Sequence, residues 1–203
     1  MEMKKFAFIV LLLAINYSLF GQEETLVGDK THNGGFGGPV IKIGQVNNQF
    51  GLFIGGRGGW IINHSFSIGG GGYGLVNAVT AQSSASGETD EITIGYGGVE
   101  LEYIINSDKL THFSIYSLFG AGGYNYRNVY ENRDGENDSG VCDSETFFIV
   151  EPSVNLEINF SKFFRMSFGA GYRFVAGKSN TGFIGGSDLS GFSGTIAFKF
   201  GRF

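Results

Sequence analysis

An alternation with a period of two residues, running through residues 145–175, constrains this chain more than any other feature. From Phe148 onward one row reads Phe148, Val150, Pro152, Val154, Leu156, Ile158 and Phe160, and between them lie Ile149, Glu151, Ser153, Asn155, Glu157 and Asn159. Side chains that alternate in this way stand on opposite faces of a β-strand. After residues 161–163 the pattern resumes, with Phe164, Met166, Phe168, Ala170, Tyr172 and Phe174 against Arg165, Ser167, Gly169, Gly171 and Arg173. A tight hairpin therefore joins two long strands. Strands of soluble domains average about 5 to 6 residues, whereas a tilted strand crossing a bilayer needs roughly 9 to 11. Both segments exceed that length. The pattern predicts lipid against the apolar row and a closed polar interior against the other.

Composition agrees with a narrow barrel. Glycine contributes 35 of 203 residues and phenylalanine 21, while proline is reduced to two. Glycine lacks any G-X-Y period, which excludes collagen. Small residues suit a crowded interior and large ones a lipid face. With 42% hydrophobic and 16% charged residues the chain is expected to fold as one domain. The net charge of −5 argues against nucleic acid as a partner. A single cysteine, Cys142, permits no internal disulfide, and without a histidine cluster beside it no structural metal or cofactor is expected.

Taken in order, residues 1–21 read as a secretory signal: Lys4 and Lys5, an apolar run over 6–15, then a polar stretch to Gly21. Residues 22–35 form a short polar lead and residues 36–203 the barrel domain. Strands are predicted over 38–45, 49–60, 64–75, 91–104, 111–124, 145–160, 164–175 and 190–201. The expected fold is all-β, an eight-stranded antiparallel up-and-down transmembrane β-barrel; ten strands is the alternative count. After the first turn the connections alternate short and long. Barrels of the bacterial outer membrane place short turns in the periplasm and long loops outside. That rule assigns the chain to the cell outer membrane with three long outer loops.

Trp60, Tyr103, Phe160 and Phe164 fall at strand ends that this topology places in a periplasmic aromatic girdle. Two places break the alternation: Pro152 in mid-strand, and a slip of parity at Gly97 and Gly98. A bulge is expected at each. Asp134, Glu136, Asp138 and Glu145 are spaced like a calcium loop in the longest, acidic outer loop, but Ser139 stands where that loop needs glycine.

The inferred interior face carries Arg57, Glu100, Glu102, Glu151, Glu157, Arg165, Arg173 and Lys199. Charges removed from water must pair, so an ion-pair plug is expected, with a narrow gated pore as the alternative. An eight-stranded interior is wide enough only for its own side chains or one small ligand.

The block Gly-Gly-Arg-Gly-Gly-Trp-Ile-Ile-Asn-His-Ser-Phe-Ser-Ile-Gly-Gly-Gly-Gly-Tyr-Gly-Leu, residues 55–75, resembles that of a group of uncharacterised barrel proteins within the small OmpA/OmpX-like outer-membrane β-barrel superfamily. The resemblance implies fold and location, with no reaction assigned. It implies outer-membrane lipid and lipopolysaccharide as surroundings, and recognition by the barrel-insertion machinery through the C-terminal strand ending at Phe203. Here Phe203 shares its parity with Gly201, Lys199 and Ala197, not with Phe200, Phe198 and Ile196, which sets it apart from the lipid-facing row.

His112 and Ser114 resemble the pair used by outer-membrane lipid A deacylases, with Glu100 or Glu102 as a third member. A base, a hydroxyl and a carboxylate are what acyl transfer needs. Topology places them at the periplasmic end, away from the outer leaflet, so they are weak candidates and the expected catalytic set is none. The leading reading is a monomeric, non-enzymatic barrel with a structural or surface-recognition role. A lipid-modifying enzyme and a secreted soluble barrel holding one apolar ligand are the alternatives.

Overall fold

The computed structural model describes residues 32–82, 89–128, 141–177 and 185–203, all within the compact unit His32–Phe203. The predicted signal and most of the polar lead lie outside the described residues. So do Asp134, Glu136 and Asp138.

Among the described residues there are nine strands: β1 Asn33–Val46, β2 Gln49–Ile62, β3 Phe66–Leu75, β4 Thr80–Gln82, β5 Thr89–Ile105, β6 Thr111–Asn128, β7 Val141–Asn159, β8 Phe164–Ala176 and β9 Gly191–Arg202. Among these residues one helical turn, here α1, spans Gly186–Leu189. All strand pairs are antiparallel. β9 pairs with β1, and β3 pairs with β5, so eight long strands close on themselves in the order β1-β2-β3-β5-β6-β7-β8-β9. β4 is a three-residue addition that pairs only with the loop-side end of β5. Closure removes the unpaired edges an open sheet would leave, and this is a condition for strands to cross lipid.

Both chain ends of the barrel and the connections 63–65, 106–110 and 160–163 lie at one end, here called the turn end. Asn63, His64 and Asn106 take positive φ of 52°, 56° and 56° in these turns, a conformation that asparagine tolerates better than most residues. Their presence makes β3 start at Phe66, later than the alternation from His64 suggests.

The alternation in β7 and β8 has the sense read from the sequence. Phe148, Val154 and Phe174 point outward, 74%, 57% and 55% exposed, while Glu151, Asn155, Glu157, Arg165 and Arg173 are buried inside. Around the wall, Ile41, Ile54, Trp60, Val99, Ile115 and Phe168 continue the apolar exterior.

Both expected bulges are absent. The register β5 keeps with β3 and with β6 is unbroken through Gly97 and Gly98. From Ile92 to Ile104 the even-numbered side chains of β5 point inward. What changes along the strand is the interior itself: Ile92, Ile94 and Tyr96 are buried in an apolar upper half, and Glu100 and Glu102 in a charged lower half. At Pro152 the register with β8 is the same on both sides, Val150 opposite Phe174 and Ser153 opposite Gly171. The ladder to β8 lapses there without an inserted residue. Proline lacks the N–H that a ladder bond needs. A register shift does occur, between Asn125 and Tyr126 opposite β7.

The interior therefore differs from an all-polar lumen. Its loop-side half is a hydrophobic core of Val40, Phe53, Ile94, Leu118, Phe147, Ile149 and their neighbours, capped by Val79 and by Leu189 of α1. A void of about 10 Å³ is left between Phe53, Tyr96, Arg173 and Leu189. That is at the lower limit for one water molecule.

Candidate functional site

Below this core, every described charged side chain in the lumen meets an opposite charge or a backbone carbonyl. Lys199 of β9 donates to both Glu102 oxygens at 2.9 and 2.8 Å and also to Glu157. β9 and β5 are four strands apart in either direction round the ring, so the Lys199–Glu102 pair joins opposite walls. Arg57 of β2 places Nη2 2.7 Å from Glu102 and Nε 3.1 Å from Glu100. Tyr73 donates to Glu100 at 2.5 Å. One layer further toward the loops, Lys42 donates to Glu151 at 2.5 Å, and its Nζ lies 3.8 Å from the centre of the Tyr73 ring. Such charges cost several kcal/mol each to bury, and pairing with hydrogen bonds offsets that cost. The lumen at this height is filled by ion pairs.

Arg173 is held differently. It donates from Nε to the Leu189 carbonyl at 2.8 Å and from Nη2 to the Gln45 carbonyl at 2.5 Å, and its guanidinium stacks 4.9 Å from Phe53. It ties α1 and the end of β1 to the wall. Glu145, expected as the first residue of a strand bordering the acidic outer loop, lies in β7 and is buried, accepting the Tyr124 hydroxyl. It is thereby removed from the calcium-like spacing.

His112 and Ser114 are both buried, 3% and 0% exposed. They do not bond to each other. His112 places Nε2 3.2 Å from Glu157 and Nδ1 3.2 Å from the Lys109 carbonyl. Ser114 donates to Glu102 at 2.7 Å and accepts from Asn155 Nδ2 at 3.2 Å. A nucleophile needs its base within hydrogen-bond reach, and here the histidine and the hydroxyl both turn to carboxylates. Glu100 is occupied by Arg57 and Tyr73. What the arrangement does is hold Glu102 and Glu157 in place.

The four aromatic residues expected to form a girdle lie at the turn end. Trp60, Tyr103 and Phe160 are 49%, 55% and 59% exposed on the outer wall. Phe164 stacks on Phe200 at 4.9 Å and lies 5.5 Å from Phe160. Phe203 belongs to the interior parity, as its neighbours Lys199 and Gly201 indicate; it stacks on Phe36 at 6.4 Å and lies beneath Arg165 at 4.0 Å.

Sequence reasoning missed Lys42, Tyr73, Tyr96 and Tyr116 as interior residues. Lys42 was detectable: it lies between Ile41 and Ile43, which point outward at 36% and 47% exposure. The tyrosines carried no such signal, because a tyrosine suits a lipid interface as well as a polar interior.

No protein-family model matches the chain, and no curated protein matches it. Among solved structures it is similar to neisserial surface protein A, with a TM-score of 0.53 and 11% identity over 86% of this chain and 99% of that one. It is also matched to Ail, the attachment invasion locus protein of Yersinia pestis, at a TM-score of 0.45 and 10% identity over 83% of this chain and 97% of that one. Closed strand order, outward apolar row and the first of these likenesses agree on one architecture. By fold, the chain is a closed eight-stranded antiparallel β-barrel similar to that of neisserial surface protein A.

Proposed function

We propose that this chain resides in a bacterial outer membrane as a non-enzymatic barrel that serves as a structural element or as a scaffold for recognition by its loops. The observation that carries this reading is the pairing of an apolar outer wall with a lumen bridged from side to side by Lys199, Glu102 and Glu157. A wall of this kind is stable only against hydrocarbon. A lumen so filled supports neither large solute flux nor an enclosed ligand, so the surface left for recognition is at the barrel ends.

Two measurements test the reading. Detergent-extracted protein is expected to migrate faster on a gel unboiled than boiled, because the closed barrel resists unfolding by detergent. In a Cys142→Ser background, a cysteine at Ser84 is expected to react with an impermeant maleimide on intact cells. Recovery of the protein in the soluble periplasmic fraction, or labelling only after lysis, would contradict membrane residence or orientation respectively. Planar bilayers containing the protein are expected to show no stable ion conductance.

A further inference from the structure

The turn end of the barrel carries a cleft of about 420 Å³ that the ion-pair network does not use. Its wall includes Ser107, Asn159, Ser161, Lys162, Arg165 and Arg202. Arg165 is 6% exposed yet weakly held. Its Nη2 donates to the Ser107 carbonyl at 3.4 Å, and its Nη1 is 4.0 Å from Glu157. A guanidinium has five N–H donors, so most of its capacity is unspent at the cleft wall, with Phe203 stacked beneath to fix its plane. Lys162 and Arg202 are exposed and form no ion pair among the described residues. Against these three cations the cleft has one side-chain carboxylate, Asp108, which lies 3.9 Å from Lys109, and the α-carboxylate of the lining residue Phe203, so cations are in excess.

The neutral groups point the same way. Ser161 accepts the N–H groups of Phe163 and Phe164, at 3.2 and 3.0 Å, which leaves its own O–H to donate. Asn159 spends its amide N–H groups on the Ser107 and Lys109 carbonyls at 3.0 and 2.7 Å, while its Oδ1 is buried without a partner. Cations and a hydroxyl donor call for an anion with several oxygens. The unpaired acceptor calls for a donor on that same ligand. Sulfate and carboxylate have no such donor at neutral pH, whereas hydrogen phosphate and a phosphoglycerol headgroup do.

We propose that this cleft binds a phosphate group that carries a hydroxyl, either free hydrogen phosphate or the headgroup of a lipid in the adjoining leaflet. The site is separate from the recognition reading above and does not depend on which way the barrel faces. Arg165 and the Ser161 hydroxyl grip the phosphate oxygens, Lys162 and Arg202 add charge from the rim, and Asn159 Oδ1 accepts from the ligand hydroxyl.

The test uses the full chain folded in octyl glucoside, which is uncharged and free of phosphate, with amide resonances followed by NMR. Inorganic phosphate is expected to shift Ser107, Asn159, Ser161 and Arg165 saturably, and sulfate to bind several-fold more weakly. Arg165→Gln is expected to weaken binding by about tenfold or more, as loss of a charge-assisted contact does. The double variant Lys162→Gln/Arg202→Gln lies outside the interior network and is expected to stay folded, as gel migration would verify, while binding about tenfold more weakly. Phosphatidylglycerol and phosphatidylcholine added to the micelles distinguish the sources. Shifts with phosphatidylglycerol alone assign the headgroup, and shifts with inorganic phosphate assign the soluble ion. If neither probe moves these resonances, or if the double variant binds both probes undiminished, the proposal is overturned.

Discussion

Replacing Lys199 with methionine is expected to lower the stability of the barrel by about 3–5 kcal/mol, the cost of leaving buried carboxylates without their cation. Lys199 Nζ contacts Glu102 and Glu157 together, and what remains after its removal is uneven. Glu102 retains Arg57 at 2.7 Å and the Ser114 hydroxyl. Glu157 retains His112 at 3.2 Å and Arg165 at 4.0 Å. The loss also severs the one ion pair among the described residues that joins strands four apart round the ring, so unfolding should become less cooperative. Urea unfolding in vesicles, followed by the fluorescence of the single tryptophan, Trp60, measures both effects. Adding Glu102→Gln and Glu157→Gln to the Met variant should recover a large part of the loss, because amides cost less to bury than unpaired carboxylates. A loss below about 1 kcal/mol for Lys199→Met would mean that the lumen is hydrated and its ion pairs behave like surface ones.

Two adjacent glycines are expected to respond in opposite ways to the same substitution. A Cβ on Gly71 would come within 2.2 Å of Glu100 Oε1 and 2.8 Å of the Tyr73 hydroxyl, while one on Gly72 meets nothing within 4 Å. Gly71→Leu must push Glu100 away from Arg57 and Tyr73, adding overpacking to a broken buried pair. The expected cost is about 3 kcal/mol or more. Gly72→Leu projects outward from the wall, into lipid on the reading proposed above, and is expected to change stability by less than about 0.5 kcal/mol. Measured side by side by urea midpoint and by the boiled-versus-unboiled gel shift, the pair tests which face of β3 is the lumen. Equal tolerance of both would place the Gly71 face outside the packed interior.

That contrast also shows where pattern reading stops. Within the run Gly69–Gly72 no side chain marks a face, and only the pairing of Gly71 with Arg57 on one side and Gly98 on the other orients it. In β7 and β8 the opposite holds: large apolar residues alternate with Glu, Asn, Ser and Arg, so lumen and wall can be told apart residue by residue. The same logic misled at Gly97 and Gly98, because it treated polar as equivalent to inward. Ile92, Ile94 and Tyr96 are apolar and inward, packed against side chains brought from β2, β6 and β7. Alternation reports that two environments differ, and a hydrophobic plug beneath the loops makes them alike. Pro152 was misjudged for a related reason. A missing N–H can be absorbed by a lapse in one ladder, and the chain need not insert a residue.

The candidate site was legible in its members more than in its wiring. Arg57, Glu100, Glu102, Glu157 and Lys199 are recognisable as interior charges from parity alone. That His112 and Ser114 serve two glutamates rather than each other depends on distances between β5, β6 and β7.

Period, strand length and sidedness were determined by the order of residues, because a two-residue repeat is a local property of an extended backbone. Closure of β1 on β9 and of β3 on β5, the diametral contact of Lys199 with Glu102, the apolar upper lumen and the basic cleft at the turn end were decided by tertiary structure. Each depends on shear and curvature bringing distant strands within a few ångströms, and no local pattern encodes that distance.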